Sequence, residues 1–122
     1  MVSALISIVI PTYNERDNIL PLVSEIEKSL AGYSFEVVIV DDNSPDETWR
    51  HAASLCISKN IVVVRRINFR GLATAIIDGM AFSRGEYVAV MDADLQHPPV
   101  YLRSMIDVAK RQNVDLVIGS RY

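Results

Sequence analysis

Five short runs of apolar, largely β-branched residues punctuate the chain, separated by longer stretches with helical spacing. The runs cover residues 5–10, 35–40, 61–64, 87–91 and 115–118. A run without polar alternation needs cover on both faces, the condition of a strand inside a parallel sheet. Strands alternating with helices, joined by right-handed crossovers, build a doubly wound, mainly parallel α/β sheet with helices on both faces. With 122 residues, the chain suffices for one such domain, spanning 1–122, and is too short for two.

The spacing predicts a first helix from Asn14 or Asp17 to about Leu30. Ile19, Leu22, Val23, Ile26 and Leu30 share its inner face, and Gly32 ends it. Ser44 and Pro45 are expected to open a second helix reaching about Ser58. Residues 71–83 predict a third, and Pro98 or Pro99 a fourth that ends near Gln112. Cys56 falls in the second helix and is expected to pack inward.

In doubly wound sheets, ligands bind at the carboxyl ends of the strands. Those ends are polar and acidic here: Pro11-Thr12-Tyr13-Asn14-Glu15, Asp41-Asp42-Asn43-Ser44 and Asp92-Ala93-Asp94. Asp92 and Asp94, one residue apart after a buried strand, can converge on a hard cation, with Gln96 adding an amide oxygen. Oxygen donors of this kind suit Mg²⁺ or Mn²⁺. The plainer reading is a polar strand-to-helix turn. Tyr13 can stack on a planar base and Glu15 can bind a ribose hydroxyl. Alternatively, Thr12 and Glu15 form a capping box. An aspartate of the Asp41-Asp42 pair can accept from a base or ribose, while Asn43 or Ser44 caps the next helix. Arg65, Arg66 and Arg70 form either an anion patch or a solvated edge.

The net charge of −3 argues against a nucleic-acid binder. A single cysteine leaves no internal disulfide and fits a reducing, cytoplasmic setting. No run approaches the ~20 apolar residues that cross a bilayer. Residues 4–10 are too few, and lack the basic lead, for a signal peptide. A peripheral association with a membrane stays open.

Taken in order, these pieces resemble the family 2 glycosyltransferases of GT-A fold. Residues 8–15, residues 38–44 and Asp92-Ala93-Asp94 carry the likeness, which runs over essentially the whole chain. Within the family, residues 92–99 and Gly119-Ser120-Arg121-Tyr122 are similar to dolichol-phosphate mannose synthases. The resemblance implies that Pro11, Tyr13, Glu15, Val40 and Asp42 line the base and ribose of a nucleotide-sugar donor. It implies that Asp92, Ala93 and Asp94 face the diphosphate and sugar, Asp92 and Asp94 being the catalytic pair. Asp92, Asp94 and Gln96 would hold a divalent metal, and Arg121 would approach the diphosphate or sugar. The implied reaction is inverting transfer of a sugar, mannose from GDP-mannose, to a polyprenyl or dolichyl phosphate. His97 stands where UDP-sugar-using relatives often carry an acid, which tilts the expectation to GDP-mannose.

Two departures from the family pattern stand out. The third-strand loop reads Arg70-Gly71-Leu72-Ala73, without the usual second glycine and lysine. The family's domain also continues past the position of Tyr122 into an acceptor-binding part. The expectation is therefore a nucleotide-sugar-binding half, whose unpaired sheet edge would favour a homo-oligomer. A UDP-sugar enzyme and a non-catalytic donor-binding fragment are the nearest alternatives. A receiver-type signalling domain fits poorly, because a whole strand–helix unit precedes its acidic pair. An Asp-x-Asp phosphatase fits poorly for a similar reason, since its motif follows the first strand.

Overall fold

A computed structural model describes residues 5–68, 70–94 and 99–113. Its elements run β1 (Leu5–Thr12), α1 (Arg16–Ser29), β2 (Ser34–Asp41), α2 (Thr48–Ser54), β3 (Ile61–Arg65), α3 (Leu72–Phe82), β4 (Tyr87–Val90) and α4 (Val100–Gln112). All strand pairings are parallel, in the order β3-β2-β1-β4. The chain therefore builds outward from β1 through β2 to β3, then crosses to the other side of β1 for β4. The expected fifth strand, 115–118, lies outside the described residues.

Period-2 alternation sorts the strand residues onto two faces. Ile6, Ile8, Ile10, Val37 and Ile39 meet Ile19, Leu22, Val23, Ile26 and Leu30 of the α1 segment, with Ala52, Leu102 and Ile106 from α2 and α4. Val9, Val38 and Val40 point the other way and meet Ala75 of α3. Helices thus cover both faces, and the order of burial along α1 is the one its spacing predicts. α3 comes close because Gly79 has no side chain. A Cβ there would lie 2.4 Å from Val9 Cγ1 and 3.0 Å from Val40 Cγ2.

The expectation of burial on both faces holds for β1 and β2 but not for β4. Val88 and Val90 are 40% and 46% exposed, since α3 packs over β1 and β2. The helix starts also differ from expectation. α1 begins after Glu15 with no side-chain cap, and Asn14 takes a left-handed φ of 54°. α2 begins only at Thr48 and ends at Ser54. Asp46 accepts from Thr48 N at 2.9 Å and from Arg16 N at 3.2 Å. It ties the starts of both helices, which removes Ser44 from any capping role. Cys56 therefore sits in a turn after α2, exposed, rather than packed inside.

The amino ends of the strands are held by a buried carboxylate. Glu36 is fully buried and accepts from Ser7 Oγ at 2.6 Å and Arg84 N at 2.8 Å. Arg84 Nε and Nη2 add bonds of 3.2 and 3.1 Å to its other oxygen. Burial pushes the Glu36 carboxyl up, but the Ser7 and Arg84 bonds and the Arg84 charge outweigh it and hold it below its ordinary value.

Candidate functional site

The carboxyl ends of the strands form one rim, and the reversal of strand order beside β1 places it at a topological switch point. The two aspartates that close β2 have separate tasks. Asp41 is fully buried. Its Oδ1 accepts from Thr12 Oγ1 at 2.7 Å and Ser44 Oγ at 2.6 Å, and its Oδ2 from Ser44 N at 2.9 Å. Ser44 Oγ in turn accepts from Asn14 N at 2.9 Å. Asp41 thus fastens the loop after β1 to the loop after β2. Thr12 is engaged there, so the capping box with Glu15 does not form. Glu15 instead accepts from Asn18 Nδ2 at 2.8 Å.

Asp42, the next residue, faces outward into a shallow cleft of about 170 Å³ lined by Tyr13, Asp42, Arg70 and Gly71. Arg70 lies over the Tyr13 ring, 4.9 Å from its centre, and donates to the Tyr13 hydroxyl at 2.9 Å. Asp42 Oδ2 accepts from Gly71 N at 3.1 Å. Gly71 has φ 126°, a conformation that needs glycine, and it forms the N-terminal boundary of α3.

The three arginines near β3 are neither one anion patch nor one solvated edge. Arg65 stacks on Trp49 at 3.7 Å and donates to Asn43 Oδ1 at 2.9 Å. Arg66 is buried, its side chain 3% exposed, and donates to Asp42 Oδ1 at 2.7 Å. Arg70 belongs to the cleft. Sequence reasoning grouped Arg66 and Arg70 with Arg65 but did not assign either to the cleft beside Asp42.

Asp92 and Asp94 follow β4 on the same rim, both exposed, with Ala93 between them buried in the α1-side core. Among the described residues no three acidic, histidine or cysteine side chains gather into a metal cluster. Two carboxylates separated by an anchored small residue still offer hard oxygen donors while leaving positions for a ligand's own oxygens. Val40 belongs to the α3-side core, so its side chain is used in packing. Pro11 and Glu15 are half-buried on the rim. Gln96, His97 and Arg121 lie outside the described residues. Among those described, no helix is long and apolar enough to cross a membrane.

Comparison with known proteins agrees with the fold. The model of the glycosyl transferase family 2 matches residues 7–122. A dolichol-phosphate mannosyltransferase from Pyrococcus furiosus is 45% identical over 117 residues, covering 96% of this chain and 33% of that protein. One from Mycosarcoma maydis is 34% identical over 123 residues, covering 95% and 42%. A mannosyltransferase from Pyrobaculum calidifontis, solved in complex with GDP-Man and Mn²⁺, superposes with a TM-score of 0.72 at 26% identity. That match covers 98% of this chain and 35% of the solved one. The chain thus spans about a third to two fifths of these relatives.

Proposed function

The chain belongs to glycosyl transferase family 2, and from that premise we propose that it forms the donor-binding half of an inverting, metal-dependent mannosyltransferase using GDP-mannose and a polyprenyl or dolichyl phosphate. The observation that carries this reading is the Tyr13–Asp42–Arg70–Gly71 cleft on the same rim as Asp92 and Asp94. The Tyr13 ring supplies a stacking face for a base, and Asp42 supplies two fixed acceptor oxygens for base or ribose donors. Asp92 and Asp94, with Gln96, would hold Mg²⁺ or Mn²⁺, and Arg121 would approach the diphosphate. A bound divalent cation would neutralise the charge that develops on the departing nucleoside diphosphate.

In the proposed reaction an oxygen of the acceptor phosphate attacks the anomeric carbon. The carbon–oxygen bond to the diphosphate breaks on the opposite face, and the nucleoside diphosphate leaves with the bonding pair. A phosphate monoester is already largely anionic at neutral pH, with a second pKa of about 6, so it needs little help from a general base. The chain's contribution is to hold the donor's base, ribose and diphosphate so that attack is in line. Acceptor binding at a membrane surface and self-association through a sheet edge are parts of the same proposal.

Calorimetric titration of GDP-mannose and UDP-glucose, with Mn²⁺ or EDTA, on wild type and Asp94→Ala tests it. The expected result is GDP-mannose binding that needs Mn²⁺ and disappears in the variant. A folded chain that binds UDP-glucose instead would reassign the donor, and one that binds neither would overturn the reading.

A further inference from the structure

We infer that Arg66 is a positioning residue of the donor site, acting through Asp42; the inference rests on the donor-binding reading above. The guanidinium is enclosed by named partners. Nε donates to Asp42 Oδ1 at 2.7 Å and Nη1 to Asp78 Oδ2 at 3.0 Å. Nη2 donates to Thr74 Oγ1 at 3.0 Å and to Gly71 O at 3.4 Å. Its own backbone N–H donates to Asp41 O at 2.8 Å, fixing where the side chain starts. A side chain 3% exposed and bonded on both sides is not available to an incoming anion.

Its effect falls on the cleft. Each carboxylate oxygen has two lone pairs. Asp42 gives one of Oδ1 to Arg66 and one of Oδ2 to Gly71 N, so its plane is set and one acceptor direction per oxygen is left for a ligand. Arg66 and Asp42 also hold the two backbone polar groups of Gly71, its carbonyl and its N–H. Gly71 directly follows Arg70, which covers Tyr13. One buried cation therefore fixes both the acceptor pair and the segment whose Arg70 packs on the Tyr13 ring. A buried ion pair gives little net stability by itself. Placed behind a cleft, its consequence is preorganisation, which reduces the ordering cost of binding.

The test uses calorimetric titration with Mn²⁺ present. The ligands are GDP and inorganic pyrophosphate, which lacks the base and ribose. The proteins are wild type, Arg66→Met, Arg66→Lys, Asp42→Asn and the double variant Arg66→Met/Asp42→Asn. Arg66→Met is expected to weaken GDP about tenfold, the scale of one charged hydrogen bond, and to leave pyrophosphate within about twofold. Arg66→Lys keeps the charge but not the fork, and is expected between the two. The double variant should bind GDP no worse than Asp42→Asn alone, because both act on one contact. Circular dichroism verifies folding, and Arg66→Lys carries the test if the methionine variant unfolds. Equal losses for GDP and pyrophosphate, or additive losses in the double variant, would overturn the inference in favour of a structural role. Wild type that binds GDP no tighter than pyrophosphate would bring down the donor reading, and this inference with it.

Discussion

Replacing Glu36 by alanine removes the acceptor on which the amino ends of β1, β2 and β4 converge. The cost can be assembled from its bonds. Ser7 Oγ–H and Arg84 N–H lose their common partner Oε2. A buried donor left unsatisfied costs roughly 1–3 kcal/mol; the buried Ser7 hydroxyl carries that cost and the part-buried Arg84 N–H a smaller one, so the pair gives about 3 kcal/mol. The Arg84 guanidinium adds little, because its side chain is 71% exposed and returns to water. Arg84→Ala keeps the backbone donor and should cost about 1 kcal/mol or less. Against a stability of about 5–15 kcal/mol, the two variants are well separated. Urea denaturation followed by circular dichroism at pH 7 measures both. The folded carboxyl lies below its ordinary value, so its stabilisation is fully present above the unfolded pKa of about 4.3. That stabilisation is lost as pH falls through the lower folded value. Wild type should therefore lose its advantage over Glu36→Gln as the solution is acidified. Glu36→Ala within about 1 kcal/mol of wild type, or Arg84→Ala costing as much as Glu36→Ala, would refute the assignment of the energy to the Ser7 hydroxyl and the Arg84 backbone donor.

Gly79→Ala puts a methyl against two stiff valines, and overpacking of that kind costs about 1–3 kcal/mol, offset by about 1 kcal/mol of helix propensity. The expected net loss is about 1 kcal/mol in urea denaturation, and Val9→Ala in the same background should recover part of it. Cys56 is exposed, so a thiol reagent should label the native chain at a rate close to that of the urea-unfolded chain; strong protection would contradict its placement.

The sheet and its helices were legible because apolar runs and helical spacing report burial directly. The inner face of α1 needed nothing more. The helix starts were harder, since several oxygen-bearing residues competed for each. Asp46, with Thr48 and Arg16, settled that contest through contacts between segments about 30 residues apart. Burial of Asp46 raises its carboxyl, but bonds from Thr48 and Arg16 outweigh this and hold it low. The pairing of Arg66 with Asp42 was not legible for a related reason. Asp41 pairs with Arg65 at the ends of β2 and β3, so Asp42 and Arg66, the residues just past each strand, emerge side by side. That complementarity appears only once the register is known. Cys56 was misread because a helix expected to reach Ser58 stops at Ser54.

The strand order also sets a timetable. β1 leaves a ribosome well before β4, yet it is central, and its pairing with β4 joins Ile6 to Tyr87. At about 5–20 residues per second, synthesis of the intervening segment takes on the order of ten seconds. Throughout that interval the β4-facing edge of β1 has no native partner, while β2, α1 and β3 can already gather on its other side. Loop closure over such a separation is slow, so β4 docking is expected to come late in folding. Nascent chains stalled before Tyr87 should therefore be the ones that chaperones hold.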